Sequence, residues 1–179
     1  EQFFRDVEWG ELDIMILDLP PGTGDIQLTL TQKLKITGAV IVTTPQDMAL
    51  ADVRKGADMF RKVNTPVLGV VENMSGLMIS GSIPETKSVS KINLNGKEID
   101  VDSSGKFSMI LDLFKKGGGQ KESDRLNVPL LGKIPVLEDI MLSSDKGNPI
   151  ATEGEKSSAG KLYFEIAEKL LKQINDLDN

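Results

Sequence analysis

The stretch Leu12-Asp13-Ile14-Met15-Ile16-Leu17-Asp18-Leu19-Pro20-Pro21-Gly22-Thr23-Gly24-Asp25 decides the fold. Residues 14–17 are apolar at every position where a half-exposed strand would alternate, which favours a strand of a parallel sheet covered on both faces. The run ends in a carboxylate, Asp18, and a Pro/Gly turn follows at once. That order places Asp18 at the carboxyl edge of the sheet, where open α/β folds bind their ligands. In phosphate-handling proteins such an aspartate holds Mg²⁺ through its water shell, because Mg²⁺ keeps several of its waters. Gly22 would let the backbone approach a terminal phosphate and offer its N–H to it. A strand ending in Asp-x-Pro is common, so the rest of the chain has to carry the reading further.

Working outward, three more apolar runs read as buried strands, at 39–42, 67–71 and 130–134. Helical patterns lie between them. Ile26, Leu30 and Leu34 share one face, as do Val53, Ala57 and Phe60, and Pro45 stands in a helical first turn behind Thr44. Strand and helix in alternation predict right-handed crossovers and a mostly parallel, doubly wound α/β sheet. Leu162, Ile166, Leu170 and Ile174 line one stripe of a last helix that should pack onto it. Residues 77–112 interrupt the rhythm. After a stretch rich in Ser, Gly and Pro, Ile92-Asn93-Leu94 and Glu98-Ile99-Asp100-Val101 flank Asn95-Gly96, a strong hairpin signal. The pattern predicts a β-hairpin around 88–104, inserted in a single domain spanning 1–179; a mobile surface loop is the competing reading.

The 179 residues carry 21 Lys and Arg against 27 Asp and Glu, a net charge of −6. This balance argues against a surface that coats nucleic acid or binds membranes through basic patches, so an anionic ligand must be held by local backbone geometry. There is no cysteine and no histidine. Thiol chemistry, disulfides, the usual zinc sites, imidazole acid–base catalysis and iron–sulfur ligation by these residues are thereby excluded. No apolar run approaches the ~20 residues of a membrane-spanning helix, and residues 1–6 do not read as a signal peptide, so the cytoplasm is the expected compartment. Lys115-Lys116 and Lys121-Glu122 read as a solvated rim, and Trp9 is expected to pack under the first strand.

Several spaced motifs carry a resemblance to a known family. The opening stretch, then Val42-Thr43-Thr44-Pro45-Gln46-Asp47-Met48-Ala49-Leu50, then Gly69-Val70-Val71-Glu72-Asn73-Met74-Ser75 resemble the Mrp/ApbC-type ATPases. These are relatives of MinD and ParA within the deviant P-loop NTPases, and many act as iron–sulfur cluster carriers or scaffolds. The resemblance continues at Gly117-Gly118-Gly119, at Val128-Pro129-Leu130-Leu131-Gly132-Lys133-Ile134-Pro135 and at Gly147-Asn148-Pro149, leaving out only about 77–110. It implies ATP and Mg²⁺ as cofactors, with Asp18 as the Walker B aspartate and Pro20-Pro21-Gly22 as the switch that senses the γ-phosphate. Asp18 and Gly22 would then be the catalytic residues. Asn73 would meet the adenine base, which suits an amide that donates and accepts at once; a turn residue capping a strand is the alternative. Ile134 and Pro135 would flank the adenine ring. The resemblance further implies a homodimer with two sites face to face.

Two departures bear on function. The phosphate-cradling pattern G-x-x-x-x-G-K-[ST] is absent, and residues 116–123, Lys-Gly-Gly-Gly-Gln-Lys-Glu-Ser, imitate it without its spacing. In the family that loop lies upstream of where this sequence starts. The expectation is therefore a C-terminal two-thirds of the family fold, inefficient at hydrolysing ATP alone, with apolar surface and strand edges exposed. The second departure is that cluster-carrying members place a Cys-x-x-Cys pair soon after Glu-Asn-Met-Ser, where this chain has none. Cluster binding in the family manner is doubtful, since serine and methionine do not replace thiolates. Two functions follow: an ATP-binding Mrp/ApbC-like ATPase of the carrier type, or a cluster-free MinD/ParA-like module that binds a regulatory or protein partner through 77–112.

Overall fold

The computed structural model describes residues 6–20, 25–83 and 90–177. Along the chain come α1 (Asp25–Lys33), β1 (Ala39–Thr43), α2 (Asp47–Lys62), β2 (Val67–Ser82), β3 (Lys91–Leu94), β4 (Lys97–Asp100), β5 (Lys106–Leu111), α3 (Gly118–Leu126), β6 (Leu130–Val136) and α4 (Glu138–Asp145). A 3₁₀ helix (Ile150–Lys156) and α5 (Ser158–Leu177) complete it.

The apolar run that opens β2 makes it the centre of a parallel sheet. Ile41 and Val42 of β1 face Val70 and Val71 on one edge, and Gly132 and Ile134 of β6 face Val71 and Asn73 on the other. Successive side chains of a strand point to opposite faces, so the run feeds two cores. Ala39, Ile41 and Val70 pack against Ala57, Met59 and Phe60 of α2 and Leu126 of α3. On the other face Val71, Leu131 and Ile134 pack with Ile140 of α4 and Tyr163, Ile166 and Leu170 of α5. Each such side chain contributes roughly 1.5–3 kcal/mol when fully buried, which explains why the strands contain so few polar residues. This is the doubly wound arrangement that the alternation of strands and helices predicts.

Within the segment 77–112, the described residues 77–83 and 90–112 form more regular structure than the composition suggests. Asn95 and Gly96 both have positive φ, at 50° and 79°, which lets them turn β3 back onto β4 with Ile92 opposite Ile99. The hairpin around 88–104 is thus present at Lys91–Asp100. A second pairing was not legible: β2 runs on past Asn73, and residues 77–82 pair antiparallel with β5, from Leu77 opposite Leu111 to Ser82 opposite Lys106. Leu77 also lies opposite Val136 of β6. Because a strand has two edges, β5 occupies the edge that β1 uses lower down. Ile99 and Val101 are buried.

Four local expectations fail. Residues 14–17 form no strand: they have no regular secondary structure, and Ile16 is 84% exposed. An apolar run becomes a strand only where another strand takes up its backbone groups, and none of the described strands borders this one. Trp9, expected beneath it, is half exposed. Pro45 precedes the N-cap Gln46 of α2 and so lies outside the first turn. Glu122, read as part of a solvated rim, is fully buried between Arg54 and Arg125.

Candidate functional site

Because β1, β2 and β6 run parallel, their carboxyl ends open on one edge of the sheet. Asn73 stands there in register with Ile134, and Pro135 follows it. The structure therefore brings together the residues expected at the base. Ile134 and Pro135 are buried, and Asn73 is half buried. Asn73 Oδ1 accepts a hydrogen bond of 2.9 Å from the N–H of Met74. That bond lies where the register between β2 and β6 breaks, and the amide NH₂ can still donate to a ligand.

Asp18 presents an exposed carboxylate. Its neighbours are anchored, since Leu19 packs on the core below β1 and the carbonyl of Pro20 accepts from Gln27 Nε2 in α1. Pro21 and Gly22 lie outside the described residues, so the geometry of the expected switch extends only to Pro20. Two polar atoms near these elements are buried without a partner, Gln27 Oε1 and Thr44 Oγ1, the latter just past the end of β1.

Glu72, which the sequence did not single out, is 2% exposed. Its Oε2 accepts the N–H of Gly119 at 2.5 Å, and its Oε1 lies 3.5 Å from Lys133 Nζ. Glu72 and Lys133 are opposite each other in register, as Asn73 and Ile134 are one residue further on. A helix N-terminus attracts anions through its free N–H groups, and at α3 the chain's own carboxylate fills that role. Residues 116–123 are consequently no vacant phosphate cradle. The only sequence signal was a glutamate set within an apolar strand, which reads equally well as the strand's end.

Beside this lock, Arg125 bonds Glu122 at 2.7 and 3.0 Å and Asp58 at 2.9 Å, joining α3 to α2. The Glu122 hydrogen bond raises the guanidinium pKa further. Lys115 hydrogen-bonds Asp47 at the start of α2 and holds its carboxyl below the usual range. Among the described residues no group of three or more His, Cys, Asp or Glu side chains could hold a metal. A Mg²⁺ ion carried by one carboxylate, waters and phosphates needs no such group.

The model of the ParA family described as NUBPL iron-transfer P-loop NTPase matches residues 1–103 and 93–171. The chain belongs to the NUBPL iron-transfer P-loop NTPase family. An iron–sulfur cluster carrier protein of Deinococcus radiodurans is 42% identical to this NUBPL-family chain over 175 residues, 98% of the chain and 42% of that protein. The iron–sulfur cluster transfer protein NUBPL of Mus musculus is 38% identical, covering 97% of the chain and 47% of that protein. A solved nucleotide-binding protein from Archaeoglobus fulgidus, in complex with ADP, has a TM-score of 0.56 and 34% identity over 82% of this chain and 50% of its own. The NUBPL-family chain spans about half the length of the curated relatives it matches. No helix among its described residues is long and apolar enough to cross a membrane.

Proposed function

We propose that these residues form the base-binding and switch portion of an ATP-binding carrier NTPase. The observation that supports this most directly is Asn73 in register with Ile134 at the common carboxyl edge. The Asn73 amide would recognise adenine while Ile134 and Pro135 flank the ring. Asp18 would order Mg²⁺ through water, and Pro20, Pro21 and Gly22 would report the γ-phosphate. Bound Mg²⁺ supplies charge neutralisation on the phosphates. The exposed single carboxylate of Asp18 fits a water-shelled ion of this kind. Grip on the phosphates must come from outside these residues, either from another part of the full-length protein or from a second copy in a homodimer, because the α3 N-terminus is occupied by Glu72. We place the protein in the cytoplasm.

The iron–sulfur cargo does not fit this donor set. With no cysteine among the 179 residues, no thiolate is available to hold it. At the position where cluster carriers place their cysteines, β2 instead continues into an antiparallel arm with β5. That observation favours a second reading, in which the arm and the β3–β4 hairpin bind a protein partner under nucleotide control.

Calorimetry with Mg-ATP and a non-hydrolysable analogue tests the first reading. We expect micromolar binding by the full-length protein, its loss in Asp18→Ala, and a weaker but measurable affinity in Asn73→Ala. The isolated 179 residues should bind none. A full-length protein that ignores ATP but loses its partner on deletion of 80–106 would leave only the second reading.

A further inference from the structure

Glu72 sits one residue before Asn73 on the central strand, and its side chain points to the opposite face. In register it is flanked by Thr43 of β1 and Lys133 of β6. Its carboxylate is bonded to the first turn of α3 through Gly119 and paired with Lys133. Beyond Asn73 the register between β2 and β6 breaks and resumes only at Leu77, and Met74 in that gap has a φ of 52°. Asn73 is thus the last residue in step with β6 before the gap. The unbroken register with β6 that leads up to it runs through Glu72.

From this arrangement we propose that Glu72 is a positioning residue for base recognition, acting through Asn73; this rests on the nucleotide reading above. The carboxylate clamps the strand to α3 on one face, so that the Asn73 amide is presented at a fixed height beside Ile134 on the other. An amide discriminates an amino-bearing from an oxo-bearing purine edge only when donor and acceptor are held within a fraction of an ångström. The specificity of the site for adenine over guanine is therefore set in part by a residue that never touches the base. Glycine at 119 is part of the same device, since a Cβ there would stand 2.7 Å from Glu72 Cβ.

The test measures Mg-ATP and Mg-GTP affinity of the full-length protein by calorimetry for wild type, Glu72→Gln, Lys133→Met, Asn73→Ala and the double variant Glu72→Gln/Asn73→Ala. Wild type should prefer ATP. Glu72→Gln should narrow the ATP-to-GTP ratio about tenfold, roughly the worth of one misplaced charge-assisted contact. Lys133→Met should narrow it less, and Glu72→Gln should add nothing once Asn73 is alanine. Equal loss for ATP and GTP, or a lower melting temperature with the ratio unchanged, would reduce Glu72 to a structural role and overturn the inference. Wild type that binds ATP and GTP alike overturns it too. Wild type that binds neither nucleotide overturns the nucleotide reading and this inference together. Should Glu72→Gln fail to fold, Lys133→Met decides, because Lys133 is half exposed and its loss leaves the Gly119 bond in place.

Discussion

Gly119 leaves no room for a methyl group, because Glu72 Cβ would be 2.7 Å and Oε2 3.0 Å from it. Glu72 is buried, hydrogen-bonded at Oε2 and ion-paired with Lys133 at Oε1, so it cannot swing aside without losing its partners. Gly119→Ala should cost about 2 kcal/mol, as over-packing beside a buried polar group does. The midpoint of urea unfolding measures it, and an unchanged midpoint would mean that the lock is slack. The same residues show where reading a sequence stops. Asn73, Ile134 and Pro135 were picked out by the family resemblance, and what the structure adds is that Asn73 and Ile134 share one register. Glu72 and Gly119 are 47 positions apart, and only the folded sheet makes them neighbours. Glu122 misled for a related reason: beside a lysine it looks solvated, yet its partners lie on its own helix and on α2.

Among the elements, one side chain ties together the turn that leads from β4 into β5. Asp102 Oδ1 accepts from the N–H and hydroxyl of Ser104 at 2.8 and 2.7 Å and from the N–H of Lys106 at 2.9 Å. The Ser104 hydroxyl bond, followed by the Lys106 N–H bond, lowers the carboxyl pKa. A carboxyl depressed in the folded state stabilises it above the unfolded pKa of about 3.9, and that contribution disappears as pH falls through the lower folded value. Amide exchange at Ser104 and Lys106, corrected for intrinsic rate, should therefore accelerate below about pH 4 while β1 stays protected. Asp102→Asn should abolish the pH step; a step that survives the substitution would exclude Asp102 as its source. The β3–β4 hairpin was legible because its signal is local, two turn residues between alternating strands. Its neighbour β5 was not, because the partner segment 77–82 contains two serines and a glycine, which read as loop until the pairing is known.

For the molecule as a whole, the doubly wound sheet could be read from the alternation of apolar runs and helix stripes, and three of the four expected strands are present. Residues 14–17 are the exception, because composition records that a segment prefers burial and says nothing of whether a neighbour is there to bury it. Ile16 at 84% and Val42 at 58% exposure leave adhesive surface on the described chain. Ile16→Lys in the 179-residue chain should reduce self-association in sedimentation while shifting stability by less than about 0.5 kcal/mol; a large destabilisation would place Ile16 in a core. The double pairing of Leu77 has a consequence for the order of folding. β2 must wait for β6, which lies some sixty residues further along the chain, and closing such a loop is entropically expensive. The arm removes most of that separation beforehand: once residues 77–82 have zipped onto β5, the chain re-enters α3 close to where it left the sheet. Ile79→Ala, which weakens the arm opposite Met109, should accordingly slow refolding more than it speeds unfolding. Stopped-flow kinetics would show whether the insertion doubles as a splint that shortens the search for the last parallel strand.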